Sequence, residues 1–359
     1  MTVSHLVRRG VEAVSTGKNG EIPRFEVEIG SPWLATLLFI TVAAFTFSIF
    51  SIWYTYSVLI PTLAIVEDSN PDLYIRVDND PANKNPDDPN QAMEVETAPK
   101  PITSKLRTTI RHLRARAGRL SRFRGFSMFL TCAIAEGLVS SVFPVSSNSV
   151  FGRFIVQMIV SVLLANLQVA WVHIMISEPS SKRFYQRIPS IRSMRKIIPA
   201  AAFEHLLTNG AFFVTLLLFK LIHGLKELDL IDKGDGTPDV YRKAAGMYSI
   251  AAFVGWLASF PARVVFIRVA ASMLPQEDET IVPFDRSFGG KVAPEVVGGG
   301  VVSIKEALLS FGRDGWKRYV KALVKAMGIQ VAVAIFFSLA ITAEILGGAL
   351  TMVPKKDDN

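Results

Sequence analysis

The sequence predicts an all-α membrane protein in which six transmembrane helices form three pseudo-repeated pairs. Half of the 359 residues are hydrophobic, the mean hydropathy is +0.34, and several long stretches carry no charged residue. Charged residues make up 19% of the chain, against about 25% in a typical soluble domain. This composition excludes a disordered chain, and the single cysteine excludes the internal disulfides of small secreted modules.

The stretches without charge locate the spans, because an ionisable side chain in hydrocarbon costs a few kcal/mol or more. About 20 apolar residues in a helix are needed to cross a bilayer core of about 30 Å. By this measure the spans of the membrane domain, residues 33–350, lie at about 33–66, 125–146, 150–177, 197–222, 243–270 and 325–350. The alternative is a soluble bundle in which six apolar helices are buried inside protein.

The two ends of the chain are polar and flank the membrane domain. Residues 1–32 form a polar segment, and the apolar run that follows starts too late and is too long for a cleavable signal peptide. The first helix is therefore expected to direct membrane insertion. Residues 351–359 form a short C-terminal tail.

Lys and Arg residues are distributed unevenly among the loops. Of the 39 in the chain, 27 lie in the loops after the first, third and fifth helices or at the adjoining helix ends. Basic residues mark the loops that stay on the cytoplasmic side of a membrane. These odd loops are therefore predicted to lie on the cytoplasmic or matrix-like side, with both termini on the other side.

Each odd loop contains an amphipathic basic segment, of which residues 101–124 are the clearest. Apolar residues recur there every three or four positions from Leu106 to Leu120, as on one face of a helix. Such a helix is expected to lie at the membrane surface, with its apolar side in the acyl boundary. An adjacent basic stripe would then contact anionic lipid headgroups rather than nucleic acid: Arg107, Arg111 and Arg114. The long polar loop 275–325 contains a similar helix near residues 304–311.

Two other loops are acidic. Residues 67–99 carry nine acidic and two basic residues and no apolar face, which predicts a flexible insertion that could bind a protein partner. Residues 226–243 are mildly acidic, but their spacing does not match a calcium-binding EF-hand. A solvated turn is the expected structure there.

A few polar residues lie inside the predicted spans. Each is a candidate for solute contact, and the alternative role is hydrogen bonding between helices. A carboxylate in a central cavity would favour a cationic or proton-coupled solute. The candidate substrate-binding residues are Glu136, His173, Glu204, His205, Asn209 and Gln330. No catalytic motif, metal-ligand spacing or cofactor-binding motif is present, so neither an enzyme nor a bound metal or cofactor is expected.

The layout of helix pairs, basic odd loops and amphipathic helices resembles the mitochondrial carrier family. That family ends each odd helix with P-x-[DE]-x-x-[KR], and the stretch from Pro261 to Arg268 resembles a degenerate copy in which Arg263 replaces the acid. The first helix keeps only Pro61, and the third keeps neither the proline nor the acid. Phe123-Arg-Gly and Trp316-Lys-Arg resemble the aromatic–basic start of the family's even helices. Residues 274–288 also resemble a loop in uncharacterised multi-span membrane proteins of filamentous fungi.

The resemblance implies a solute transporter of the mitochondrial inner membrane, with the outer mitochondrial or peroxisomal membrane as alternatives. In the family, acids and bases at the odd-helix ends form a ring of ion pairs that closes the matrix gate. Because Arg263 replaces the acid of the family motif, two like charges, Arg263 and Arg268, would lie near the matrix gate. The alternative function is therefore a membrane scaffold or adaptor that keeps the carrier fold and does not transport.

Overall fold

The computed structural model describes residues 32–68, 101–143, 150–223, 237–292 and 300–351, and every regular element in those ranges is helical. Nearly all of the N-terminal segment, of the acidic insertion and of the C-terminal tail lies outside the described residues, as do residues 226–236 of the second acidic loop. The predicted link between the second and third helices, 144–149, lies outside them as well.

The described ranges contain ten α-helices, which are numbered in chain order. They are α1 Pro32–Ile52, α2 Ile60–Val66, α3 Leu106–Ala117, α4 Phe126–Val142, α5 Val150–Leu163, α6 Ala165–Ile176, α7 Ile191–His223, α8 Pro238–Ser272, α9 Ile304–Leu309 and α10 Arg313–Thr351. A π-helical segment, Trp53–Leu59, joins α1 to α2. It precedes Pro61, which has no N–H to donate to an earlier carbonyl, and the helix widens just before it.

Five helical stretches in the described residues are long and apolar enough to cross a membrane. The consecutive helices α5 and α6 form a sixth candidate, bent by 57°. Large apolar side chains on these helices face outwards, including Phe39 at 73% exposure, Leu138 at 64% and Phe336 at 66%. Such surfaces belong in lipid rather than in water, so the helices indicate an integral membrane protein.

The helix boundaries differ from the prediction in three places. The third helix is interrupted at Leu164, where the backbone leaves helical geometry (φ −92°, ψ 5°). The fourth starts at Ile191, so the basic segment of the second odd loop forms its first turns and the helix continues through Pro199. The sixth starts at Arg313. Hydropathy detects only the apolar part of a helix. These helices continue past their apolar parts into segments that contain charged residues, which hydropathy does not detect.

The structure divides into two compact units. The first unit comprises Met1–Ile49 and Val331–Asn359. Within it the Thr41 hydroxyl donates to Glu344 Oε1 at 2.5 Å, and the Phe45 and Phe337 rings lie 5.2 Å apart. A hydrogen bond of this kind satisfies a carboxyl group inside a helix pair that lacks water.

The second unit, Phe50–Gln330, contains the hydrophobic core. Its centre is formed by the C-terminal ends of the odd helices, residues 58–66, 165–176 and 262–271, here called the odd-helix core. Aliphatic side chains such as Leu63 and Ile176 are completely buried there. Their close packing draws the three helix ends together at one place.

Residues 274–292, here called the covering segment, lie across these helix ends. The Ile281 N–H donates to Ile176 O at 2.8 Å, and the Asp68 N–H donates to Pro283 O at 3.0 Å. The segment thereby ties the end of the third helix to the end of the first. Burial alone would raise the pKa of Asp285 in its turn, but hydrogen bonds from Ser287 and from the Gly289 N–H hold that pKa below its ordinary value.

Helix α3 packs part of its surface against protein. Leu113 is fully buried in the core, and His112 Nε2 lies 2.8 Å from Ile281 O in the covering segment. Leu120, at the other end of the stripe, is 78% exposed, so the contact of the remaining stripe with the acyl boundary stays a prediction. The side chains of the basic stripe are exposed: Arg107, Arg111 and Arg114. Their contact with lipid headgroups remains a prediction.

The turn into α4 requires a glycine at position 125. Gly125 has φ +77°, and a Cβ atom there would lie 3.2 Å from both Met175 Cγ and Trp171 Cδ1. Gly125→Ala is expected to lower the free energy of unfolding by about 2–5 kcal/mol, because left-handed backbone strain adds to overpacking. Chemical unfolding in detergent measures this loss. The control is Gly137→Ala, a helical site with no atom within 4 Å of the new Cβ, and equal losses in the two variants would contradict the geometry.

Candidate functional site

A polar cavity of about 170 Å³ lies in the second unit between helices α4 to α8. Polar side chains from all five helices line it, although each helix belongs to a candidate membrane span. The lining side chains with a charged, amide or imidazole group are Glu136, Gln157, Gln168, Glu204, His205, Asn209 and Arg263. Four of the six predicted substrate-binding residues are therefore together in one place.

Helix α7 contributes more residues to the cavity than any other helix. Residues four positions apart share one face of a helix, so Glu204 and Thr208 form one row and His205 and Asn209 form another. Helix α8 approaches this face closely at Gly255, where a Cβ atom would lie 3.1 Å from Thr208 O. A larger residue would separate the two helices that carry the charged groups.

The bend in the third span opens the other side of the cavity. Gln157 on α5 and Gln168 on α6 both line it, together with Leu164 at the break. A straight helix would present residues 11 positions apart at nearly the same angle but about 16 Å apart along its axis. The 57° bend lets the two arms face one cavity.

Among the described residues that line the cavity, Arg263 is the one Lys or Arg side chain, and it is paired. Its Nη1 lies 2.9 Å from Glu204 Oε1, and its guanidinium carbon lies 5.7 Å from the centre of the Trp171 ring. The charge of Arg263 is therefore compensated by an acid. The acid that pairs with it comes from an even helix, which the comparison of odd-helix ends did not consider.

His205 is almost completely buried, at 6% exposure. The Asn209 side-chain amide nitrogen donates to its Nδ1 at 3.0 Å, which puts the ring proton on Nε2. The Phe154 carbonyl lies near the ring, yet Nε2 has no hydrogen-bond partner of normal geometry in the described part of the chain. The hydroxyl of Thr208 is buried without a partner as well. Buried polar atoms of this kind normally have a partner.

Glu136 carries the second carboxyl group of the cavity. It is an exposed residue at the cavity edge, and no ion pair joins it to another described residue. Because Arg263 neutralises Glu204, Glu136 is the one acidic side chain of the described lining that has no ion-pair partner. The arrangement can therefore hold a small polar molecule by charge and hydrogen bonds.

Two predicted cavity residues lie elsewhere. His173 Nε2 contacts Ala270 O at 2.8 Å inside the odd-helix core, and the residue is 3% exposed. The side-chain amide of Gln330 donates to Ser57 Oγ at 2.8 Å. Both side chains are used in contacts between helices, so neither lines the cavity. The alternative role of interhelical hydrogen bonding describes these two residues.

The predicted gate residues lie at or near the odd-helix core. Pro61 is buried in α2, Pro261 lies inside α8, and Arg268 is 8% exposed. Arg268 donates to Ile65 O at 3.2 Å and to Ser310 Oγ at 2.9 Å. Its guanidinium carbon also lies 4.9 Å from the centre of the Phe288 ring in the covering segment, at cation–π distance.

Three residues join helix ends through hydrogen bonds that the sequence patterns do not reveal. Arg124 donates to Ile174 O at 2.6 Å and also to Ser177 O, at the end of the third helix. Arg318 donates to Glu67 O at 2.9 Å, at the end of the first helix. The Glu67 side chain is fully buried and accepts hydrogen bonds from the Thr103 N–H and hydroxyl. The aromatic–basic stretches at 123–124 and 316–318 single out both arginines in the sequence. They do not predict which carbonyl groups the arginines bind.

In the described ranges, no cluster of three or more His, Cys, Asp or Glu side chains has the geometry of a metal site. Comparison of the sequence with protein-family models and with curated proteins finds no match. The cavity and the odd-helix core are the two features of the structure that bear on the function.

Proposed function

We propose that the protein is a divergent carrier-type transporter that binds a small polar solute in the cavity between α4 and α8. The cavity is the observation that carries this proposal. An ion pair, an unpaired carboxyl group and three side-chain amides lie together inside candidate membrane spans. Ionisable groups in such spans are costly and in general mark the path of a solute or ion.

A repeated contact supports the carrier-like arrangement of three helix pairs. Arg124, just before the second span, binds carbonyls at the end of the third span, and Arg318, in the sixth, binds a carbonyl at the end of the first. A three-fold arrangement would pair the fourth span with the fifth in the same way. Lys196 near the start of α7 does line a second cavity together with Ser272 and Met273 at the end of α8.

Reconstitution in liposomes tests the transport proposal. Uptake of at least one labelled small solute should exceed uptake by empty vesicles, and Arg263→Gln should abolish it because the cavity loses its ion pair. The matched control is Arg242→Gln on the same helix, whose side chain is 80% exposed and pairs only with Asp239. Uptake no better than that of empty vesicles for anions, cations, amino acids and nucleotides alike would contradict the proposal, provided the protein is folded.

A membrane scaffold that does not transport is the second candidate, and the covering segment favours it. The odd-helix ends are held by arginine–carbonyl hydrogen bonds and by the covering segment, rather than by a ring of ion pairs. Transport by alternating access would have to break all of these contacts in each cycle. A protein that binds partners at a membrane would not need to break any of them.

The resemblance to carriers favours the mitochondrial inner membrane as the site of action. The outer mitochondrial and peroxisomal membranes are the alternatives. Microscopy of a tagged protein together with markers for each membrane distinguishes the three.

A further inference from the structure

We propose that the solute of the cavity is a small organic monocation, an ammonium group held beside Glu136 and accompanied by an uncharged polar group such as a hydroxyl. This inference rests on the proposed function, because it takes the cavity to be the solute site. It is argued from the charge, the size and the unpartnered polar atoms of the cavity.

The charge of the lining favours a cation. Arg263 is already paired with Glu204 at 2.9 Å, and no described residue forms an ion pair with Glu136. A carboxylate at the edge of a cavity between apolar helices is stabilised by a cation that replaces the water it loses. An anionic solute would instead have to compete with Glu204 for Arg263 and would be repelled by Glu136.

The size of the cavity limits the solute to a few heavy atoms. A volume of about 170 Å³ corresponds to about six water molecules at the density of the liquid. Pockets for drug-sized ligands are about 300–1,000 Å³. Nucleotides and other large carrier substrates would therefore extend well beyond this cavity.

The buried polar atoms favour an uncharged polar group next to the ammonium. His205 is 6% exposed, and its Nε2 has no partner of normal hydrogen-bond geometry in the described part of the chain, although the Phe154 carbonyl lies near the ring. With Asn209 donating to Nδ1, the Nε2–H is a donor that needs an acceptor oxygen. Thr208 offers a hydroxyl that is also unpartnered. A hydroxyl on the solute satisfies a donor and an acceptor at once.

Four probes of similar size test this inference by calorimetry on the detergent-solubilised protein. Ethanolamine carries the ammonium and the hydroxyl, glycine is a zwitterion, glycolate is an anion, and ethylene glycol is neutral. Ethanolamine should bind most tightly, and Glu136→Gln should weaken it about tenfold or more, because a charge-assisted hydrogen bond is lost. The matched control is Glu277→Gln, whose side chain is 82% exposed and which should bind as the wild type does.

The outcomes separate the solute class from the transport proposal, because binding needs no transport. Ethanolamine binding that depends on Glu136 supports the inference even if the liposomes show no uptake. Binding of glycine or glycolate as tight as that of ethanolamine, or equal ethanolamine binding by Glu136→Gln and wild type, would overturn it. No binding of any probe would overturn it too, whereas uptake of an anion in liposomes would leave the transport proposal standing.

Discussion

Glu67→Ala is expected to lower the free energy of unfolding by about 3–5 kcal/mol, the range for breaking a buried charged network. The Glu67 side chain is fully buried and accepts hydrogen bonds from the N–H groups of Ile102 at 2.5 Å and Thr103 at 3.0 Å. It also lies 3.9 Å from the guanidinium of Arg318, whose side chain is 9% exposed. Alanine would leave two N–H groups without their acceptor and a buried cation without its nearest carboxylate.

Chemical unfolding in detergent measures this effect, with two further variants for comparison. Glu67→Gln keeps one acceptor oxygen and removes the charge, so a smaller loss of about 1–3 kcal/mol is expected. Glu277→Ala, at an exposed site, should change the free energy of unfolding by less than about 0.5 kcal/mol. If Glu67→Ala were as mild as Glu277→Ala, the carboxyl group would have no structural role.

Arg268→Ala is expected to have a similar effect, a loss of about 3–5 kcal/mol of unfolding free energy. The side chain joins the end of the first helix, through Ile65 O, to Ser310 and to the Phe288 ring of the covering segment. Its removal creates a cavity and leaves a buried carbonyl unsatisfied. The same unfolding measurement applies, and proteolysis within residues 274–292 should become faster as the covering segment loses its contact.

Two variants separate charge from packing at this position. Arg268→Met keeps most of the volume and removes the donors, and Arg268→Lys keeps the charge but not the planar group that reaches two acceptors. Both should be less stable than the wild type, whereas Arg242→Ala at an exposed site of the same helix should be neutral. Wild-type stability of Arg268→Met would mean that only the volume of the side chain matters.

Hydropathy predicted the approximate positions of the candidate spans, and their number if the bent pair α5–α6 counts as one span, because the cost of charge in hydrocarbon is large and depends only on composition. It did not predict the break at Leu164, where neither glycine nor proline marks the sequence. Packing of the two arms against different neighbours decides such a bend. It also did not predict that Leu113 of α3 is buried against protein. The helical spacing of apolar residues is the same whether they face protein or lipid.

The cavity was predicted in part. Glu136, His205 and Asn209 were expected to meet, and all three line it. His173 and Gln330 do not, because the partner of a polar side chain depends on the depth and rotation of its helix, which the sequence does not encode locally. Arg263 was assigned to a gate through its position in a family motif. Its pairing with Glu204, 59 positions earlier, follows only from the packing of α7 against α8.

The bonds that hold the odd-helix ends together have a consequence for the surroundings in which they persist. Arg268 and Arg124 donate to main-chain oxygens, so neither side of the contact changes its protonation between pH 5 and 9. Partly buried contacts of this kind are also little affected by dissolved salt. We therefore expect these two arginine contacts to persist in acidic and alkaline compartments alike.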